Sequence, residues 1–201
     1  GVTTSTAEGL AKLRPVLPDG VHTFGAQTHP ADGHCSITVT TREKARELSA
    51  DPDVQIQVVS YGYARAKKGY MAAAVYPAAQ MALDNAGISV DSIKTIKTHN
   101  PFAVNDIYLS QKLNVDVDQI NNYGCSMVYG HPQAPTAGRS IIEGIEAVVW
   151  PGTDLRPLLA QAGHVLTSVA PTLEITRTEL ATNSQRISSA KASRLNQWTP
   201  W

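Results

Sequence analysis

No apolar stretch of this sequence approaches the ~20 residues that a helix needs to cross a bilayer. The opening Gly-Val-Thr-Thr-Ser-Thr likewise lacks the basic and apolar regions of a signal peptide. Charge of one sign is missing too: 17 Lys and Arg stand against 17 Asp and Glu, with no basic run or stripe, which argues against nucleic acid as a partner. Cysteine is scarce. Cys35 and Cys125 lie far apart and within apolar patterns, so they read as buried, inert thiols rather than a disulfide framework. Together these absences lead us to expect a soluble, cytoplasmic protein with no membrane partner. The spacing of His29, Asp32, His34 and Cys35 superficially suits a metal, but no second cluster supports it and no metal is expected. Internal repeats, coiled-coil heptads and low-complexity blocks are also lacking.

What is present, over 201 residues, is an alternation of strand and helix patterns. Residues 1 to 34 are mostly loop, with a short helical candidate at Ala7–Leu13. Cys35 to Thr40 alternates polar and β-branched residues as a strand does, and Thr41 is a candidate N-cap for a helix to about Leu48. A half-buried strand is expected over Val54–Tyr63. The long helix after it carries Val75, Ala78, Ala79, Met81, Ala82 and Ala86 on its apolar face, with Pro77 near its start and Gly87 as its stop. Ile93–Thr98 is a strand that ends at His99-Asn100-Pro101-Phe102. The helix Val104–Leu113 places Val104, Ile107, Tyr108 and Leu113 near one face. Ile120–Met127 reads as an interrupted strand, and a further helix follows Thr136. This order argues for an α/β layered fold with helices packed on a sheet. Beyond Pro151-Gly152 two strands are expected, at 164–169 and 173–177. The Ser-rich residues 181–201 read as a poorly ordered tail.

Two polar turns follow strand patterns, and each carries a histidine, His99 or His131. Taken singly, such a histidine is more often a hydrogen-bonding surface residue than a catalyst. Two of them at the ends of strands in one sheet make a site equally credible.

The stretch Gly130-His131-Pro132-Gln133-Ala134-Pro135-Thr136-Ala137-Gly138-Arg139 resembles the Gly-His-Pro-x-Gly-x-Ser/Thr-Gly-x-Arg motif of the thiolases. His99-Asn100-Pro101-Phe102 resembles that family's Asn-Glu-Ala-Phe motif. Its leading histidine is similar to the His-Asp-Cys-Phe version of the sterol-carrier-type thiolases. Glu8 to Pro15, Thr23-Phe24-Gly25 and Asp32-Gly33 look like the segment joining the two halves of a thiolase. The resemblance covers residues 4 to 150. It implies a thiolase-like layered α/β/α fold, mainly the C-terminal half with an atypical C-terminal end. Residues 1–50 would be the end of the N-terminal half, 51–150 the C-terminal half, and 151–201 a divergent tail.

The activity implied is acyl-CoA C-acyl transfer, by Claisen condensation or thiolytic cleavage, with coenzyme A thioesters as substrate and no further cofactor. In this resemblance His131 is the base that activates a nucleophilic cysteine, and His99 polarises the thioester oxygen. Gly130, Pro132, Asn100 and Phe102 are the implied substrate-binding positions. The partners implied are acyl-CoA or coenzyme A, and a separate N-terminal thiolase half or a homo-oligomer.

Three departures bear on this. Neither Cys35 nor Cys125 matches the nucleophile motif, and the Cys-x-Gly motif near the family's C terminus is absent. Ala134 and Ala137 replace motif glycines, so a distorted loop is expected if φ there is positive. After Val149 the pattern departs altogether. A two-base frame shift there would permit Ala-Gly-Tyr-Gly over Trp150–Asp154 and Cys-Ala-Gly-Gly over Leu159–Gly163. A non-catalytic thiolase-like subunit and a truncated or frameshifted inactive product are therefore the alternatives.

Overall fold

The computed structural model describes residues 4–51, 54–149, 163–167 and 171–177, the last two segments through their backbone alone. The expected tail at 181–201 lies outside the described residues. Four strands form one sheet in the order β1-β4-β3-β2, where β1 is Val54–Tyr61, β2 Ile93–Lys97, β3 Gly163–Thr167 and β4 Pro171–Arg177. β4 runs antiparallel to both β1 and β3, and β3 runs parallel to β2. The two strands expected beyond Pro151 thus lie between β1 and β2 and join them into a single sheet.

Among the described residues six α-helices accompany it: α1 Ala7–Ala11, α2 Arg42–Leu48, α3 Val75–Ala86, α4 Ala103–Leu113, α5 Ser126–Tyr129 and α6 Thr136–Val149. Several boundaries have a local cause. Thr41 caps α2 by accepting a hydrogen bond from the Lys44 amide, as its sequence position suggests. Gly87 closes α3 at φ 68°, and Asn114 closes α4 in the same left-handed region.

Successive strand residues face opposite sides of a sheet. Ile96 faces a cluster with Ala79 of α3, Leu109 and Leu113 of α4, and Ile120. The next residue, Lys97, is fully enclosed, and Glu143 of α6 is the foremost charge acting on it. α6 packs on β2 and β3, and Val148 and Val149 near its end form a second apolar cluster with Ile141, Ile145 and Val54. The result is the expected α/β layering, with β2 covered on both faces.

Four expectations are corrected. Cys35–Thr40 is not a strand but irregular chain, and Ser36–Thr40 is exposed. Alternation gives a segment two faces, yet strand hydrogen bonds need a partner edge, and none of the described strands pairs with this one. Ile120–Met127 is not a strand either. Ile120 makes an isolated parallel bridge to Ile96, after which Asn121 at φ 54° and Gly124 at φ 78° turn the chain into α5. Neither cysteine therefore lies on a strand. The buried face of α4 is Asn105, Leu109 and Leu113, spaced i, i+4, i+8, while Val104 and Ile107 are exposed. In α3 the buried large residue is Leu83, and Met81 is exposed.

Candidate functional site

β2 delivers the chain into the turn 98–102, and α4 begins immediately after it. The second loop, 130–135, connects α5 to α6. These loops meet so that the rings of His99 and His131 lie 4.2 Å apart, centroid to centroid, tilted by 51°. Two motifs distant in sequence thus form one site.

A third segment holds both loops. The Thr28 amide donates to the Pro101 carbonyl at 2.7 Å, and Gln27 bridges Phe102 antiparallel. Beyond it, the His131 amide donates to the His29 carbonyl at 2.8 Å, and Pro30 bridges His131. The Thr28 hydroxyl also donates to the Ser126 carbonyl. Sequence periodicity describes residues 1–34 only as loop, because a clamp made of backbone bonds to two other loops has no period.

Gly130 reaches His131 through φ 87° and ψ 174°, a conformation essentially confined to glycine. The Ala134 and Ala137 substitutions do not carry the distortion expected of them. The positive-φ residues other than glycine among the described residues are Asp19, Asn114, Asn121 and Gln133, so both alanines have ordinary backbone. Gln133, at φ 55°, takes the left-handed turn of this loop instead.

Behind the rings lies a polar network. Asp106, in the first turn of α4, accepts from the Thr98 hydroxyl at 2.7 Å, the Asn100 amide at 2.6 Å and the Asn121 amide at 3.1 and 3.3 Å. Asn121 also accepts from the Thr98 backbone amide at 2.7 Å. The other end of Asn100 accepts from the Met127 amide at 3.3 Å, so this residue ties the 98–102 turn to α5. Phe102 meets the His22 ring edge-on at 5.4 Å. Pro132 packs near Gly33, and both line a cleft of about 140 Å³ with Asp32, His34, Tyr129, Pro135 and Arg139. Neither His99 nor His131 lines that cleft.

The electrostatics separate the groups by burial. Desolvation pushes His99 down to about 4, with His131 and Arg139 acting in the same direction and Asp106 opposing them. His99 is therefore a neutral imidazole at pH 7. Its Nδ1 lies 2.9 Å from the hydroxyl of Ser126, a fully buried residue that sequence reasoning passed over. Burial likewise raises Glu143 and lowers Lys97. The Lys97 ammonium donates to Asn122 at 2.5 Å and sits 3.8 Å from the Tyr123 ring centroid. Arg139 donates to the Cys125 sulfur at 3.0 Å and lies 3.4 Å from Glu143. Cys125 is completely enclosed, and the half-buried Cys35 donates to the Pro135 carbonyl at 3.3 Å. Both thiols are thus engaged in hydrogen bonds, Cys125 as an acceptor and Cys35 as a donor. Among the described residues, no group of three or more His, Cys, Asp or Glu is placed to hold a metal ion.

Comparison with known proteins gives the family of this fold. Residues 53–151 match the family described as thiolase, C-terminal domain. The peroxisomal 3-ketoacyl-CoA thiolase B of Rattus norvegicus is 30% identical over 140 residues, covering 69% of this chain and 32% of the rat protein. A 3-ketoacyl-CoA thiolase of Saccharophagus degradans is 33% identical over 133 residues, covering 64% of this chain and 34% of that protein. Among solved structures, the Bacillus anthracis acetyl-CoA acetyltransferase superposes with a TM-score of 0.68 at 24% identity, covering 86% of this chain and 43% of that one. Human mitochondrial 3-ketoacyl-CoA thiolase in complex with CoA gives a TM-score of 0.63 at 20% identity, over 87% and 43% of the two chains. The chain spans about a third of the length of these curated relatives.

Proposed function

We propose, from the premise that this chain belongs to the thiolase family and carries that family's C-terminal half, that it supplies the base and the oxyanion donor of an acyl-CoA C-acyltransferase. The observation that carries this reading is the His99–His131 pair at 4.2 Å, built from two loops that a third segment holds together. The nucleophilic cysteine would come from a first thiolase half, on a longer chain or a separate one.

In this reading His131 accepts the proton of that cysteine. The resulting thiolate attacks the thioester carbon, a new C–S bond forms, and the carbonyl oxygen becomes an oxyanion. A ring N–H of neutral His99 donates to that oxygen, and collapse breaks the bond to coenzyme A, whose sulfur takes the proton back from His131. Burial serves this division of labour. With His99 uncharged, the neighbouring ring is free to become the cation without facing another at 4.2 Å. Gly130, Pro132, Asn100 and Phe102 shape the surroundings of the two rings, and coenzyme A thioesters are the proposed substrate class. A cytoplasmic location belongs to the same proposal and rests on the scarcity of cysteine.

The engagement of both thiols favours a second statement: these residues alone form no acyl-enzyme. The test is to supply a thiolase first half bearing the nucleophile motif and follow its acylation from acetyl-CoA by intact mass. Acylation is expected with the pair and not with this chain alone. His131→Ala should slow it by about 10²–10⁴-fold, the usual contribution of a positioned base. Equal acylation with His131→Ala would refute the catalytic reading and leave a non-catalytic, thiolase-like subunit.

A further inference from the structure

Ser126 has no counterpart in the two motifs, yet it is fully buried and its hydroxyl lies 2.9 Å from His99 Nδ1. A buried hydroxyl must place its proton on an acceptor, since an unpaired one loses the hydrogen bonds it made to water and gains none in return. Two side-chain acceptors are within reach: His99 Nδ1 at 2.9 Å and the Cys125 sulfur at 3.8 Å. Sulfur is the weaker acceptor, and this one already accepts from Arg139 at 3.0 Å. The direction of that bond is not negotiable, because a guanidinium has only donors. With its lone pairs engaged by Arg139, the Cys125 thiol can turn its own hydrogen toward the Ser126 oxygen. Cys125 and Ser126 then each both accept and donate, in a chain of bonds that starts at Arg139 and ends at His99.

We infer that Ser126 donates to His99 Nδ1 and so holds the ring in the tautomer whose proton is on Nε2, making Ser126 a positioning residue for the oxyanion donor. The role of His99 rests on the proposed function; the direction of the hydrogen bond does not. A neutral imidazole has one N–H, and one that spent it on Ser126 would present a bare nitrogen to a developing oxyanion. Burial keeps the ring neutral, so the tautomer decides whether it donates there or repels. The backbone of Ser126 contributes too, because its carbonyl accepts from Thr28 in the clamp that also orients the 98–102 turn.

The test is ¹⁵N NMR of histidine-labelled full-length chain at neutral pH, without acyl-CoA, with the His99 signals assigned by their loss in His99→Gln. The wild-type protein should show Nε2 as the protonated, pyrrole-type nitrogen. Nδ1 should be pyridine-type and shifted toward the protonated value by an accepted hydrogen bond. Ser126→Ala should move the Nδ1 signal to its unbonded position, and Ser126→Thr, which keeps the hydroxyl, should restore it. A protonated Nδ1 in the wild type would overturn the inference, as would an Nδ1 signal unmoved by Ser126→Ala. If Ser126→Ala fails to fold, the wild-type spectrum still decides the direction of the bond. Because no acylation is measured, failure here leaves the test of His131 intact, and the reverse holds as well.

Discussion

Replacing Gly130 by alanine tests how the 130–135 loop aims His131. At φ 87° and ψ 174° the backbone occupies a region essentially reserved for glycine, and holding another residue there costs about 1–3 kcal/mol. A Cβ at this position would also stand 2.6 Å from the Ala31 Cβ and 3.0 Å from His29 Nε2. The imidazole can swing away, but the Ala31 Cβ is fixed to backbone in the segment that clamps both loops. Overpacking of that kind adds about 1–3 kcal/mol, so the total expected is roughly 2–6 kcal/mol. Gly87→Ala is the control. Gly87 also has a left-handed φ, 68°, but a Cβ there meets nothing within 4 Å, so only the backbone term of about 1–2 kcal/mol applies. Urea unfolding followed by circular dichroism gives both midpoints at a common slope. If Gly130→Ala costs no more than Gly87→Ala, the close approach of the 29–31 segment to the histidine loop is wrong.

Stability should also respond to pH through His99. Its folded value of about 4 lies below the ordinary histidine value of 6.5, so between these the unfolded chain binds more protons. Stability is therefore full above the upper value and falls as pH drops from 6.5 toward 4; His99→Gln should flatten that part of the urea-midpoint profile, and an unchanged slope would show that another group governs it. Restoring the family's glycine by Ala137→Gly should not improve the loop. Ala137 lies in the first turn of α6 with ordinary backbone, so the substitution should lower stability by about 0.5–1 kcal/mol in thermal unfolding; a gain would mean that the alanine is strained after all.

The sequence by itself determined the features whose signals are local. Thr41 and Gly87 mark their helix ends because a cap is a bond or a φ within a few residues, and β2, α3, α4 and α6 follow from apolar spacing. The histidine motifs were legible as two separate turns after strands, which holds for His99 after β2 and not for His131, whose turn follows α5. Tertiary structure decided what depends on a partner distant in sequence. Cys35–Thr40 has a strand's alternation and no described strand beside it, and α4 buries Asn105 rather than Val104 because Asn105 and Leu109 lie on its covered face. At Asn121 a left-handed turn replaces the expected strand, and the side chain there is held by Thr98 and Asp106. Ser126 shows the limit most plainly. Nothing in Gly-Cys-Ser-Met indicates a hydroxyl 2.9 Å from a histidine 27 positions earlier, since that contact exists only after β2, α5 and the 27–30 clamp have brought the loops together.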